Sequence, residues 1–257
     1  MKFIDTHAHL YLDQFNDDLD EVINNAINDG VERMYLPNID SNTIEAMNDL
    51  VEKFPNNCFP MIGLHPSDVK ENFKKELAIV EREAKTKKYI AIGEIGIDLY
   101  WDKTFLTQQQ EAFASQLELA KSMGLPVAIH ARDSFDEIFE VLDAHNDDSL
   151  RGVLHCFTGN LDQANRIINY GGFKLGIGGV ATFKNGGLDK VIPHVDLKHL
   201  VLETDAPFLA PMPYRGKRNE SKYIPIIADK IAQFQGIKIE EVAEVTTNSA
   251  LELFAKD

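Results

Sequence analysis

A chain of 257 residues with 44% hydrophobic and 26% charged side chains has a globular composition and the length at which eight βα units close into one barrel domain. Its formal charge of −15 argues against broad adhesion to nucleic acid or anionic membrane, so any phosphate-bearing ligand has to be captured by a local feature. No stretch reaches the ~18 uninterrupted apolar residues of a membrane span. The N-terminus MKFIDTHAHL lacks a secretory pattern and the two cysteines, Cys58 and Cys156, form no C-x-x-C pair. These features predict a cytoplasmic protein without a disulfide framework or zinc ribbon, with both thiols acting as small buried hydrophobes.

Short apolar or β-branched runs alternate with amphipathic stretches along the whole chain. In order, the spacing predicts a strand at residues 3–5, a helix at 17–29, a strand at 33–36, a helix at 43–54 and a strand at 59–63. It continues with helix 76–85, strand 90–94, helix 107–123, strand 127–130, helix 134–143, strand 152–155, helix 161–170 and strands 173–176 and 200–203. Gly124 and the Gly171-Gly172 pair stop helices just ahead of strands, and residues 224–254 read as two closing helices separated by Gly236. Alternation of this kind means a parallel sheet. It does not separate an open doubly wound sheet from a (β/α)₈ TIM barrel, but the polar residues do: ligand-type side chains end six strands, and they converge only if the sheet closes on itself.

In the first strand, His7 and His9 lie two apart in extended chain and face one centre, a spacing suited to zinc, manganese or a similar cation. Glu94 ends the fourth strand inside an apolar run, where an unpartnered charge costs several kcal/mol, roughly. His130 and His155 each end an apolar strand, and the last strand ends in Glu203 and Asp205, again two apart. A single such histidine is more often a satisfied core residue; this many ionisable groups at strand ends point to metal. His7, His9, Glu94, His130, His155 and Asp205 exceed one coordination sphere, so two divalent ions (Mg, Mn or Zn) are expected. His7, His9 and Asp205 would hold one, His130 and His155 the other, with Glu94 between. Both carboxylates face the same way, so the pattern does not say which binds metal and which acts as base or second-layer partner; Asp205 is preferred as ligand for its place nearer the mouth, and either could take the proton.

Other residues surround this centre. His65, at the end of the third strand, either donates to a phosphate or leaving group or caps its loop. Arg132, two after His130, either grips phosphate or pairs with Asp133 or Asp136. Asp98 is a second-layer carboxylate or a helix cap, and Cys156 should point away from the mouth toward the helices. The segment from Tyr214 to Lys222 is the densest basic patch in an acidic chain, flanked by Tyr223, and Arg215, Lys217 and Arg218 are candidate phosphate-backbone contacts. The glycines at 176–179 and 185–187 shape the strand-seven loop around Phe183.

The segments IDTHAHL, GLHP, IGEIGID, IHARD, HCFTG, GIGGVATF, LETDAPFLAP, RGKRNE and TTNSALELF, in that order, resemble the TatD family of metal-dependent deoxyribonucleases nearly end to end. The resemblance implies a TIM barrel, a divalent-metal site at the six residues named above, and hydrolysis of DNA phosphodiester bonds, often from a 3′ end. It departs at Ser221, where the family commonly has proline, and at residues 175–178, where it commonly has a polar serine-rich stretch. The expected reaction is attack by metal-activated water, with DNA as the partner and no obligate protein partner. Two alternatives are an amidohydrolase acting on a small cyclic amide, and an idle metal-binding protein, which should have lost a ligand.

Overall fold

The computed structural model describes residues 1–86 and 89–255. Eight parallel strands run in the order β1 (Phe3–Asp5), β2 (Val31–Leu36), β3 (Cys58–Ile62), β4 (Ala91–Asp98), β5 (Val127–Arg132), β6 (Gly152–Leu154), β7 (Phe173–Ile177) and β8 (Leu200–Leu202). The circle closes between the first and last strands, where Thr6 N donates to Leu202 O (2.9 Å), Asp205 N to His7 O (2.8 Å) and His9 N to Ala206 O (2.7 Å). The sheet is therefore a barrel, and every strand end named from the sequence opens at the same face.

Helices α1 (Leu19–Asn28), α2 (Ile44–Lys53), α3 (Phe73–Thr86), α4 (Leu106–Met123), α5 (Phe135–His145) and α6 (Leu161–Asn169) follow the first six strands; α7 (Ile224–Gln235) and α8 (Ile239–Leu253) follow the last. Each presents an apolar stripe to the barrel wall, as Val22, Ile23 and Ala26 do in α1. Between β7 and β8 the described residues form 3₁₀ turns instead of an α-helix. The expected punctuation is present: Gly124 ends α4 at φ 64° and Gly236 ends α7 at φ 68°, a left-handed cap that glycine adopts without a Cβ clash. Asn160 starts α6 in a reciprocal capping box with Gln163.

Inside the barrel, at its N-terminal end, a ring of Ile4, Tyr35, Met61, Ala91, Ala128, Val153 and Val201 is sealed by Ala250, Leu253 and Phe254 from the end of α8. The strand termini mostly match the expected ones within two residues, but β4 runs four residues past its expected end. Its pairing with β5 shifts register between Ile92 and Ile95. An extra residue there breaks the alternation: Ile92, Ile95 and Ile97 all pack outward in the helix layer, and Glu94 turns into the barrel. Among the described residues no helix is long and apolar enough to cross a membrane.

Candidate metal centre

Glu94 is 2% exposed and sits at the middle of the barrel mouth. Its Oε2 lies 3.0 Å from His7 Nε2 and 3.3 Å from His9 Nε2, while its Oε1 lies 2.8 Å from His155 Nε2, 2.8 Å from His130 Nδ1 and 3.3 Å from His65 Nε2. Asp205 Oδ1 is 3.6 Å from His9 Nε2 and 3.9 Å from His7 Nε2. The six expected ligands are thus brought to one place, and each oxygen of Glu94 faces its own group of imidazoles.

The outer hydrogen bonds fix which ring nitrogens point inward bare. Tyr11 Oη donates to Pro37 O (2.6 Å), so its contact with His9 Nδ1 (3.0 Å) takes the Nδ1 proton and leaves His9 Nε2 an acceptor. Asp98 Oδ2 takes the Nε2 proton of His130 (2.8 Å), which leaves His130 Nδ1 bare. Bare nitrogens therefore confront carboxylate oxygens, acceptor against acceptor, in a buried site. A cation or shared protons must lie between them, and an imidazole–carboxylate donor set of this kind fits a divalent metal. His7, His9 and Glu94 form one group able to hold an ion; His7, His155 and Glu203, and His65, Glu94 and His130, form others by distance.

His65 differs from the rest. Its Nδ1 accepts from the Ser67 backbone N–H (3.1 Å), so a neutral His65 carries its proton on Nε2, toward Glu94. Its side chain thus caps the turn Pro66–Asp68, the second of its two expected roles, while its Nε2 faces Glu94 and places it in a candidate cluster.

In the metal-free chain, protons take the cation's place. Burial alone would lower the pKa of His9, but Tyr11, Asp205 and Glu94 outweigh it and raise it well above the ordinary value. His155 is likewise raised against burial by Glu94 and Glu203, and His130 by Asp98 and Glu94. His7 goes the other way, lowered by burial and by His155, whose ring stacks on it at 3.7 Å. Burial would raise Glu94, yet the surrounding histidines hold it well below the carboxylate range. Beneath the centre Asp5 is fully buried, accepting from His7 N (3.2 Å), Thr204 N (2.9 Å) and Thr204 Oγ1 (2.6 Å) and so tying the ends of β1 and β8 together. Burial pushes its pKa up to about 7. Tyr11 and Asp5 carry no sequence signal of their own, since each acts through a neighbour.

Three readings need correction. Glu203 does not share the mouth with Asp205. It lies fully buried behind His155, with Oε1 3.4 Å from His155 Nδ1 and accepting from Cys156 N. Gly176 makes its space, because a Cβ there would come within 2.1 Å of Glu203 Oε2. Cys156 adopts φ 45° and is only partly buried. Its thiol is pushed well up by burial and then by Asp205 and Glu203, so it is a protonated neighbour of the site rather than a residue of the helix layer. Cys58 is buried as expected.

Arg218 is also not free to bind phosphate. Its guanidinium grips Asp18 through two 2.7 Å bonds, Gln14 O at 2.7 Å and Glu220 at 3.1 Å, while Lys222 pairs with Glu220 at 2.7 Å. Together with Asn219, whose amide donates to Thr204 O (2.7 Å) and Phe208 O (2.6 Å), it anchors the loop to the end of β8. Arg215 and Lys217 remain exposed, Arg215 over the Phe183 ring at 4.6 Å. Arg132 is exposed, with its Cζ over the Tyr100 ring at 3.8 Å from the centroid, and is not in an ion pair with Asp133 or Asp136.

The sequence matches the family model described as "TatD related DNase" over residues 4–255. The chain belongs to the TatD family. It is 38% identical to the metal-dependent hydrolase YabD of Bacillus subtilis over 97% of this chain and 98% of that protein. It is 31% identical to the metal-dependent hydrolase YcfH of Escherichia coli over 100% and 97%. The crystal structure of YjjV, a TatD homologue from Escherichia coli, superposes with TM-score 0.92 at 29% identity, covering 99% of this chain and 98% of that one. The comparisons thus support a metal-dependent hydrolase of the TatD family, and the cluster around Glu94 holds side chains able to bind a metal.

Proposed function

We propose that this TatD protein hydrolyses phosphodiester bonds of DNA, shortening strands from a 3′ end with two divalent ions bound in the mouth. The observation that carries the reading is the two-sided environment of Glu94, with His7 and His9 on one oxygen and His130 and His155 on the other. One bridging carboxylate between two imidazole pairs suits a pair of ions, with Asp205 completing the His7–His9 side. Bound metal supplies Lewis acidity toward a phosphoryl oxygen and lowers the pKa of water toward ~7.

The chain's own groups do the rest. Asp98 and Tyr11 keep His130 and His9 in the tautomers that present bare nitrogens. Glu203 supports His155 from behind. Asp205, the carboxylate in the mouth, accepts the proton of the attacking water; its histidine neighbours keep it ionised against burial. His65, with its Nε2 proton turned into the mouth, donates to a phosphoryl or leaving oxygen. Arg132, Arg215 and Lys217 supply the local positive charge that a chain of net charge −15 needs to hold a polyanion.

The test is incubation of metal-supplemented protein with end-labelled single- and double-stranded DNA, RNA and a panel of dihydropyrimidines. Progressive loss of nucleotides from DNA 3′ ends, abolished by chelation, is expected. Turnover of the cyclic amides with intact DNA would overturn the proposal in favour of an amidohydrolase.

A further inference from the structure

We infer that the corner formed by Tyr100 and Trp101 is a stacking subsite for an unpaired nucleobase of the substrate strand, and that Trp101 sets a preference for single-stranded ends. The inference rests on the reading of the mouth as a DNA-hydrolysing site. Trp101 is the only tryptophan in the chain and is 80% exposed; Tyr100 beside it is 49% exposed. Tryptophan is among the residues most buried on average, so an indole held out in water at the rim of a catalytic mouth calls for an occupant. The two rings meet edge to face, with centroids 4.5 Å apart and planes at 88°. This geometry steadies the corner while leaving an indole face uncovered.

The corner is also rigidly tied to the metal centre. Asp98 Oδ1 accepts from Tyr100 N at 2.9 Å, and its other oxygen takes the His130 Nε2 proton at 2.8 Å. One carboxylate therefore spans the distance between the aromatic corner and an imidazole that touches Glu94. Arg132 completes the arrangement: its Cζ lies over the Tyr100 ring, 3.8 Å from the centroid, and 5.9 Å from that of Trp101. Its N–H edge makes no hydrogen bond among the described residues, which leaves the fork open for phosphate oxygens.

An aromatic face for a base beside a cation for its phosphate is the chemistry of one nucleotide. Every base has a π-face, so the subsite tolerates any sequence, but only an unstacked base can enter it. Stacking has a second advantage for this chain. It is not opposed by the net negative charge and is insensitive to the salt that weakens phosphate contacts.

Because Trp101 is the sole indole, its emission reports on the corner alone. Metal-loaded protein is titrated with a phosphorothioate-linked single strand, with the same strand carrying abasic 3′-terminal residues, and with a blunt duplex. The ordinary single strand is expected to quench the emission, and the other two to leave it largely unmoved. Trp101→Ala should weaken binding of the ordinary strand roughly 5- to 100-fold while binding the abasic strand as wild type does, and Trp101→Phe should recover most of the loss. Equal quenching by ordinary and abasic strands, or an equal loss on both in Trp101→Ala, overturns the subsite. A wild type that cuts DNA with its emission unmoved overturns the subsite alone, whereas one that neither binds nor cuts any strand overturns the DNA-hydrolase reading with it.

Discussion

At the N-terminal end of the barrel interior, Ile4, Tyr35, Met61, Ala91, Ala128, Val153 and Val201 pack under the end of α8 without a charged group among them. A few residues further along, the same strands deliver His7, Glu94, His130, His155 and, after β8, Asp205 to a common point. The floor is stabilised by removing apolar surface from water. The mouth buries charges whose desolvation is offset only by one another and by whatever cation they hold. On the proposed function, stability and activity reside at opposite ends of one barrel interior, and substitutions at the two ends should fail in different ways.

The sharpest break is expected at Glu94. Glu94→Gln removes the charge that faces both imidazole pairs, so turnover should drop roughly 10²–10³-fold or more with a parallel fall in bound metal, a greater loss than His130→Asn causes. Metal analysis and kinetics on the two variants check this; near-normal turnover in Glu94→Gln would mean that a single-ion site replaces the bridge. At the floor, Phe254, whose ring lies 4.8 Å from Tyr35, should show the reverse. Phe254→Ala is expected to cost about 3 kcal/mol of unfolding free energy in urea titrations while the folded protein keeps its metal affinity.

A milder loss should follow from Asp98→Asn, which removes the carboxylate that orients His130. Metal affinity should weaken about 10–100-fold, measured by calorimetric titration, with little change in the folded baseline.

The mouth should also make metal-free stability depend on pH in two directions. Groups with raised imidazole values (His9, His130, His155) contribute fully below the ordinary imidazole pKa, and their contribution is lost as pH rises through the raised values. The lowered carboxyls of Glu94, Asp98 and Asp205 contribute above the ordinary carboxylate pKa, and this is lost as pH falls through the lowered values. His7, with a lowered value, opposes stability in acid, and Asp5, raised to about 7, opposes it increasingly as pH rises from the ordinary carboxylate value toward 7. Metal-free protein should therefore be most stable at about pH 5–6.5. Added metal should stabilise increasingly from mild acid to neutrality as competing protons leave the imidazoles. Denaturation with and without chelator across pH 5–8 measures both trends; a metal effect that shrank toward neutral pH would contradict the assignment.

The smallest expected effect separates the rim cations. Neutralising Arg215 and Lys217 should flatten the salt dependence of single-strand binding by roughly 0.7 each on the log–log scale. Arg218→Ala should lower stability without altering that slope, since Arg218 is already held by Asp18 and Glu220.

Much of the centre was legible because strand ends have a simple rule. His7 and His9 share a side by the two-residue period, and His130 and His155 interrupt apolar runs at points where only the barrel face remains. Glu94 was legible as a charge in an apolar run, but its direction was not: it depends on the register shift between Ile92 and Ile95, which the residue pattern does not announce. Glu203 and Asp205 are in phase on paper, yet β8 stops at Leu202 and Asp205 takes φ 59°, and the two carboxylates part, Glu203 to His155 Nδ1 and Asp205 toward His7 and His9. Arg218 reads as a free cation because its partner, Asp18, lies 200 residues away. Trp101 has no periodicity to mark it; only its exposure does.

Asp98 holds a histidine of the metal centre with one oxygen and the backbone of the rim with the other, which makes it a thermodynamic coupler. If an occupied centre steadies that carboxylate, the rim binds its ligand more tightly by some factor, and the ligand must then raise metal affinity by the same factor, since linkage is reciprocal. On the proposed function, substrate at the rim would in this way help to retain bound metal, and the protein without substrate would release it more readily.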